Sequence, residues 1–336
     1  AIAFPRIKDR MRDIGDVRVK VVFVDFSDAP ATMTTTEALK LVEKSSDIFK
    51  SMSYGKMNYI IDPTPKWYRM SMPSTSYYFN TYESQHSYVE EALAVADPTV
   101  DFSTSDSFLI FANPDAKHFN NGPAASYQLA DAIAVDGKHI NNGATSGNDI
   151  YVWKSMWLNH EISHSMGLVD LYARDDAGLR DGYHRYVGQF SYMGFSSLDS
   201  QAPSLFAWER WVLGWLDDSQ VTCTTQPGTY QLTALNATGG NKVVVIPTGA
   251  TTAIAIEYRT ALGYDSKIAK EGALVYNLDT SLQSGFGPLI VQSNFSNQED
   301  LWKLKAPLAV GESITDGKYT ITMSAAADGV ATITVK

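Results

Sequence analysis

The sequence predicts an α+β fold, in which a mixed region of helices and strands precedes an all-β module. Up to about residue 216, β-branched and aromatic runs alternate with stretches whose apolar residues recur at helical spacing. From about residue 222 onward only short β-type runs follow, and the last two form a hairpin around Asp328-Gly329. A chain of 336 residues is long enough for two domains. We therefore predict a first domain over residues 1–218 and a β-rich, sandwich-like module over residues 219–336.

Local signals place the individual elements. Val17–Phe26 is rich in β-branched and aromatic residues, starts with polar and apolar residues in alternation and continues as an apolar run, so it is expected to be a strand. Thr34 and Glu37 form a capping-box pattern, and the apolar spacing that follows predicts one helix, which ends at Tyr54-Gly55. Further helices are expected over residues 84–96, 155–166 and 203–213, and further strands over residues 57–61, 108–111, 130–135, 230–232, 243–246, 254–258, 273–277, 319–323 and 331–335.

The composition restricts the classes of partner. Hydrophobic residues make up 44% and charged residues 19% of the chain, which is typical of a globular protein with a packed core. The net charge of -10 and the absence of a Lys/Arg cluster argue against nucleic acid and against anionic membranes as partners. No apolar run approaches the roughly 18 residues that a membrane span requires. The single cysteine, Cys223, excludes an intrachain disulfide.

The segment that begins at His160 contains the candidate metal ligands and the candidate catalytic residue. Residues four apart lie on one face of a helix, so His160 and His164 can direct ring nitrogens at one metal ion. Zinc binds imidazole at about 2.0–2.1 Å, and a catalytic zinc site needs three protein ligands and one open position for water. Glu161 follows the first histidine, which places its carboxylate beside that water as a general base rather than on the metal.

A third ligand must come from beyond the helix. Gly167 can adopt a left-handed conformation and end the helix, after which the chain turns back and Asp170 can reach the ion. Aspartate binds zinc at about 2.0–2.2 Å. The alternative third ligand is His184, in a loop further along the chain. The sequence thus predicts one zinc ion held by His160, His164 and Asp170.

The segment His160–Asp170 resembles the elongated zinc signature of metzincin-like peptidases, whose third ligand is His or, in some branches, Asp. The greatest resemblance is to the immune-inhibitor-A-like metallopeptidases, which are secreted bacterial proteases. It covers most of residues 17–216. The matching segments are Val22–Asp28, Ser53–Lys56, Gly188–Gly194, Ala207–Arg210 and Leu213–Trp215.

The resemblance implies a zincin/metzincin-like catalytic domain with an active-site helix and a mixed sheet. It also implies that Met193 is the Met-turn residue, an apolar floor beneath the histidine rings. In some metzincins a Tyr two residues after this Met approaches the metal; Phe195 occupies that position here, so no such ligand is expected. Secretion is implied as well.

Two weaker features remain open. Tyr183 could hydrogen-bond a developing oxyanion if it turns toward the site, although a packing role is the more common one. Calcium is left open, with Asp175-Asp176 and the pair Asp25 and Asp28 as acidic candidates, because the sequence contains no EF-hand loop.

We expect a secreted, monomeric zinc endopeptidase that cleaves protein or peptide substrates. A substrate is expected to lie extended along an edge strand, for which residues 130–135 are the candidate. The main alternative is a zinc-containing binding protein for a surface glycan or protein, whose peptidase site is vestigial and whose β-module does the work. A zinc hydrolase acting on non-peptide substrates is a third hypothesis.

Overall fold

The structure is a computed structural model, and it describes residues 9–194 and 203–336. These residues divide into two compact units. We call residues 9–51 and 55–167 the N-terminal unit, and residues 52–54, 168–194 and 203–336 the C-terminal unit. The assignment of residues 1–218 to a catalytic domain and of residues 219–336 to a separate β-rich module stays a prediction.

A mixed sheet forms the centre of the N-terminal unit. The strands of this unit are β1 (Gly15–Asp25), β2 (Met57–Arg69), β3 (Ser107–Ala112), β4 (Ala124–Ser126), β5 (Ile133–Val135), β6 (Lys138–Ile140) and β7 (Asn142–Thr145). Within the described residues, the sheet has the order β2-β1-β3-β7-β4. Neighbouring strands from β2 to β7 are parallel, and β4 pairs antiparallel with β7 at the edge. The short strand β4 is therefore an edge of this sheet.

The strand expected over residues 130–135 is only partly correct. Residues Leu129–Asp131 form a 3-10 turn, and only Ile133–Val135 is extended. This strand pairs with β6 in a separate hairpin. Asp136 and Gly137 both have positive φ, 47° and 72°, as a tight hairpin turn requires. Residues 130–135 thus lie outside the central sheet, because local hairpin pairing takes up their backbone groups.

Four helices of the described chain begin before residue 168. They are α1 (Thr35–Leu39), α2 (Ser45–Met52), α3 (Tyr82–Ala96) and α4 (Ile150–Ser165). The capping box is confirmed, since Thr34 Oγ1 accepts from the Glu37 N–H and Glu37 Oε2 from the Thr34 N–H. The single helix expected from Thr34 onward is wrong. The Lys44 N–H donates to Ser155 Oγ at 3.0 Å, which removes it from a helical ladder.

One face of the central sheet carries a hydrophobic core shared with α3. This core contains Val22, Val24, Phe26, Tyr68, Met70, Tyr77, Tyr88, Val89, Ala92, Leu93, Ala96, Val100, Phe102, Phe108, Ile110, Ala112, Ala116, Phe119, Ala125, Tyr127, Ile133, Val135 and Ile140. Gln85 of α3 also reaches the sheet edge, where its Nε2 donates to the Ala124 carbonyl at 3.0 Å. The helix therefore fixes the position of the edge strand.

The C-terminal unit is predominantly β, as the sequence predicts. It contains α5 (Ala207–Val212), β8 (Val221–Cys223), β9 (Gly228–Thr233), β10 (Val243–Pro247), β11 (Thr252–Arg259), β12 (Gly272–Asp279), β13 (Leu289–Val291), β14 (Ser313–Asp316), β15 (Tyr319–Ala327) and β16 (Val330–Val335). In the part of the chain that the structure describes, these strands form two sheets, β13-β12-β11-β10-β8 and β14-β15-β16-β9. All pairs are antiparallel except β8 with β10.

The two sheets of the C-terminal unit share one hydrophobic core. Its members include Leu232, Val244, Ile246, Ile254, Ile256, Val275, Ile314, Ile321, Met323, Ala331, Ile333 and Val335. Buried and partly exposed residues alternate along β15 and β16, as expected where one sheet face is buried. Among the described residues, no helix is long and apolar enough to span a bilayer.

A buried ionic network joins α5 to the sheet of the C-terminal unit. The fully buried Arg259 guanidinium donates to Glu257 at 2.5 Å and to Asp265 at 2.8 Å. Glu257 also accepts from the Ala207 N–H at 2.7 Å. The helix expected over residues 203–213 therefore begins only at Ala207, because carboxylates rather than helical carbonyls bind the N–H groups of Ser204, Phe206 and Ala207.

We predict that Arg259→Met destabilises the protein by about 3–5 kcal/mol, because it leaves two buried carboxylates without their counter-charge. Urea unfolding followed by fluorescence measures this difference. The matched control is Arg180→Met, whose side chain is 97% exposed and whose loss should cost less than about 1 kcal/mol. Equal free energies of unfolding for the two variants would contradict the assigned role of the network.

Candidate metal centre

The two histidines lie on the C-terminal half of α4. The backbone of α4 is non-helical at Lys154 (φ 50°, ψ −131°), so the regular helix begins at Ser155, as the sequence predicts. Asn159 Nδ2 donates to the Ser45 carbonyl at 3.1 Å and Ser165 Oγ to the Gly143 carbonyl at 3.1 Å. These buried hydrogen bonds fix the rotation of the helix about its axis, and so fix the face that carries its histidines.

Gly167 ends this helix. Its φ is +103°, and its N–H donates to the His164 carbonyl at 2.9 Å. The chain then turns, and Asp170 follows three residues later. One donor atom from each of His160, His164 and Asp170 lies within 4.8 Å of the other two. No other group of three or more His, Cys, Asp or Glu side chains among the described residues is placed so that it could hold a metal ion.

The donor set fits zinc. The Nε2 atoms of His160 and His164 are 3.1 Å apart. Two nitrogens bound to one tetrahedral zinc at about 2.0–2.1 Å are separated by about 3.3–3.4 Å, so a small ring movement is sufficient. Two imidazoles and one carboxylate are also the ligand types that a catalytic zinc site uses. The residues present can therefore bind this ion.

The carboxylate of Asp170 is buried and oriented by its own unit. Ser284 Oγ donates to Asp170 Oδ2 at 2.9 Å, and the Asp170 N–H donates to the same hydroxyl at 2.9 Å. The Asp170 carbonyl accepts from the Gly285 N–H at 2.9 Å. Such outer contacts fix the direction in which a ligand presents its oxygen. The half-exposed Arg174 side chain has its Nη1 atom 3.7 Å from Asp170 Oδ2.

Glu161 lies outside the candidate metal-binding group and is anchored separately. Its Oε2 accepts a hydrogen bond from the Ala124 N–H of β4 at 2.7 Å. This contact holds one carboxylate oxygen on the edge strand. The carboxylate is partly exposed, as the sequence-predicted general base requires.

The segment before β4 is held by α4 and its N-cap residue. Asp149 Oδ2 accepts from the Gly122 N–H at 3.1 Å, and Trp157 Nε1 donates to the Gly122 carbonyl at 2.8 Å. A Cβ at Gly122 would lie 2.2 Å from the Thr145 carbonyl oxygen, so only glycine fits. Burial raises the pKa of Asp149 to about 6; the Gly122 N–H lowers it and the Glu161 charge raises it.

A second network surrounds the segment predicted to be the Met-turn. Ser191 has a φ of +64°, and its Oγ donates to Glu209 Oε2 at 2.8 Å while accepting from the Met193 N–H at 3.1 Å. The buried Met193 accepts at its carbonyl from the Leu171 N–H at 2.8 Å, next to Asp170. Burial raises the pKa of Glu209 to about 7. Glu209 thus supports a turn whose backbone is hydrogen-bonded to the segment that carries Asp170.

The other candidates named from the sequence lie elsewhere. His184 is outside the candidate metal-binding group; it is buried, stacks on Trp302, and burial lowers its pKa to about 4. The Tyr183 side chain is 52% exposed, and its oxyanion role stays a prediction. Phe195 lies outside the described residues.

The acidic pairs considered for calcium have protein partners. The Asp25 carboxylate accepts hydrogen bonds from the Arg69 guanidinium and from the Ala31 N–H. Asp28 accepts from both the N–H and the hydroxyl of Ser74, which lower its pKa against the opposing effect of burial. Asp175 pairs with Arg185, and Asp176 accepts from the Gly178 N–H. These contacts supply the carboxylates with donors from the protein itself, and calcium binding stays an unassigned prediction.

Sequence reasoning missed several residues around the site. Ser284 is 114 positions from Asp170, and no local pattern links them. The glycine and proline at Gly122-Pro123 mark a turn, but they do not reveal that the following residues form the sheet edge. Glu209 lies in one of the segments that carry the family resemblance, and this was the one available signal for it.

No family model matches the chain, and no curated protein matches it. Among solved structures, the chain is similar to metalloproteinase-II from Bacteroides fragilis, with 14% identity, 64% of this chain and 58% of that chain covered, and a TM-score of 0.32. It thus spans less than two thirds of that protein. It is also similar to OgpA from Akkermansia muciniphila, with 12% identity, 87% and 96% coverage, and a TM-score of 0.35. Matches with TM-scores this low do not indicate a function for the chain.

We predict that Asp149→Asn becomes more stable relative to the unchanged protein as the pH rises from 4 to 7. The native pKa of Asp149, about 6, lies above its unfolded value, so ionisation favours unfolding. The unchanged protein loses up to about 3 kcal/mol of its free energy of unfolding in this window, and the loss is complete above the native pKa. Urea unfolding at several pH values measures it, with the exposed Asp97→Asn as control. A difference between variant and unchanged protein that does not depend on pH would contradict the prediction.

Proposed function

We propose that this protein is a zinc-dependent endopeptidase of the metzincin-like type, with Glu161 as general base. One observation carries the proposal: two imidazoles and a carboxylate lie within 4.8 Å of one another, and the residue after the first histidine is a glutamate anchored on an edge strand. A site built only to bind a structural zinc does not need this second acid, because its coordination positions are all filled by protein.

The side chains divide the chemistry between them. His160, His164 and Asp170 would hold the ion, which when bound lowers the pKa of a water molecule and polarises the scissile carbonyl. The Glu161 carboxylate accepts the proton of the attacking water and delivers it to the leaving amine. The hydrogen bond from Ala124 limits the rotation of this carboxylate, so its second oxygen keeps a constant direction during the transfer.

We propose a different edge strand for the substrate from the one expected from the sequence. Residues 130–135 were the sequence-predicted edge, but they form part of the β5–β6 hairpin. The edge of the central sheet beside α4 is β4, which also contacts Glu161 through Ala124. We therefore place an extended substrate along β4, where main-chain hydrogen bonds give affinity for any sequence. Secretion, a monomeric state and protein or peptide substrates belong to the same proposal.

A second candidate function uses the C-terminal unit. A cavity of about 700 Å³ opens at the ends of its strands and is lined by polar groups that include Asn277, Asp279 and Asp316. A cavity of this volume is within the range of small-ligand sites. In this alternative the chain is a zinc-containing binding protein with a vestigial peptidase site.

We predict that Glu161→Gln retains zinc but loses turnover by about 10²–10⁴-fold, because the amide cannot accept the proton of water. The assay is hydrolysis of denatured casein, with and without 1,10-phenanthroline, followed by re-addition of zinc. Activity of the unchanged protein should disappear with the chelator and return with the metal. The control is Glu90→Gln, an exposed glutamate on α3.

Full activity of the Glu161→Gln variant would contradict the assigned mechanism. A folded, zinc-loaded protein that hydrolyses no peptide bond would favour the binding-protein alternative instead.

A further inference from the structure

Strand β4 leaves part of its backbone facing away from the sheet. In an antiparallel pair, successive residues alternate between bonding the neighbouring strand and pointing away from it. The Pro123 carbonyl accepts from the Thr145 N–H at 3.0 Å, and the Tyr127 N–H donates to the Asn141 carbonyl at 2.7 Å. The odd-numbered residues therefore bond to β7. The N–H and C=O groups of Ala124 and Ser126 point to the open edge.

These two outward-facing residues differ in what they offer. The Ala124 N–H is bound by Glu161 and its carbonyl by Gln85, at 2.7 and 3.0 Å. Ser126 is exposed, and its hydroxyl donates to Ser165 Oγ of α4 at 3.2 Å. The backbone N–H and C=O of Ser126 point outward from the open edge. An added strand would thus form its main-chain hydrogen bonds at Ser126.

We take an added strand to run antiparallel to β4, because antiparallel pairing is slightly more stable per residue than parallel pairing. An antiparallel peptide runs opposite to β4, so the part beside Ser126 and Tyr127 lies N-terminal to the part beside Ala124. From Ala124 to Tyr127 the edge extends about 10 Å, at about 3.3 Å per residue. Residues of the peptide that lie opposite Tyr127 are therefore about three positions N-terminal to the part beside Glu161.

Side chains of the added strand would alternate between two faces. The peptide residue opposite Ser126 directs its side chain toward α4, as Ser126 does. Its neighbour opposite Tyr127 directs its side chain toward the face that carries α3, where Tyr127 belongs to the hydrophobic core. The side chains present on this second face determine which residue is preferred there.

Three aromatic rings form a cluster on that face, which we call the Tyr82 cluster: Tyr82, His86 and Tyr127. The ring of Tyr127 lies 5.4 Å from that of Tyr82 and 4.8 Å from that of His86, both edge-on. The Tyr82 side chain is 42% exposed and Leu129 nearby in sequence is 58% exposed. The cluster is therefore partly open to solvent at the end of β4.

The polar atoms of the cluster offer little to an occupant, because Asp131 engages Tyr82 Oη and His86 Nε2 and the Tyr127 hydroxyl is buried. Tyr82 Oη donates to Asp131 Oδ2 at 2.8 Å, and His86 Nε2 lies 2.8 Å from the Asp131 carbonyl oxygen. What remains for an occupant is the ring surface of Tyr82, which favours an aromatic or large apolar side chain over a charged one.

We propose that the Tyr82 cluster is a specificity subsite, which selects peptides with an aromatic or large apolar side chain about three positions N-terminal to the scissile bond. The proposal rests on the proposed function, because it takes the bond that is cleaved to lie beside Glu161. The subsite binds the peptide through ring contacts, while Ser126 binds the neighbouring residue through its backbone.

The experiment compares two peptides that differ only in Phe or Ala at this position, around a bond mapped by mass spectrometry of cleaved casein. The unchanged protein should show a kcat/KM for the Phe peptide about tenfold higher than for the Ala peptide. Tyr82→Ala should lower kcat/KM for the Phe peptide to about the value for the Ala peptide, mainly through KM. Tyr82→Phe, which retains the ring, should keep it.

The matched control is Tyr78→Ala. Tyr78 is 52% exposed and packs edge-on against His118, so the substitution removes a comparable tyrosine–histidine pair. The preference for Phe should persist in this variant. A preference that survives in Tyr82→Ala, or that is lost equally in Tyr78→Ala, would overturn the subsite.

A second measurement separates failure of the subsite from failure of the proposed function. Absence of any hydrolysis by the zinc-loaded protein would count against the endopeptidase proposal. The same peptides, carrying a fluorophore, are then titrated onto the zinc-loaded Glu161→Gln variant and binding is followed by anisotropy. Tighter binding of the Phe peptide that depends on Tyr82 supports the subsite, and equal binding of both peptides overturns it.

Discussion

The candidate site depends on one backbone conformation, the φ of +103° at Gly167. If α4 continued through this residue, Asp170 would lie about 9 Å further along the helix axis than His164, at about 1.5 Å per residue. The helix ends instead, and the Asp170 carboxylate joins the imidazoles within 4.8 Å. The glycine is required for its conformation rather than for space, since the nearest atom to an added Cβ would be Arg10 Cδ at 3.8 Å.

Carboxylates also hold backbone segments in place within each of the two units. Glu209 binds the Ser191 hydroxyl and so supports the segment that carries Met193. In the other unit, Asp149 holds the Gly122 N–H just before the edge strand, and Glu161 is bound to Ala124 of that strand. Because a hydrogen bond to a carboxylate restrains the group that donates it, these few contacts can keep a short edge strand and a sharp turn in defined positions.

The local part of this arrangement could be predicted from the sequence, and the non-local part could not. The spacing of His160, Glu161, His164 and Asp170 is set by helix geometry and one glycine, so it can be read directly. The break between α1 and α2 depends on Ser155, more than a hundred residues away, and no periodicity reveals it. In the same way the late start of α5 depends on Glu257, and the orientation of Asp170 on Ser284. The roles assigned to the site residues stay predictions until zinc binding and hydrolysis are measured.

The most direct test of the account is the zinc content of the purified protein after dialysis against a chelator that buffers free zinc. The account predicts about one zinc per chain for the unchanged protein, loss of most of this zinc in Asp170→Asn, and full retention in His184→Gln. Retention by Asp170→Asn together with loss in His184→Gln would contradict it, because the third ligand would then be the loop histidine. A folded unchanged protein that binds no zinc would remove the metal centre altogether.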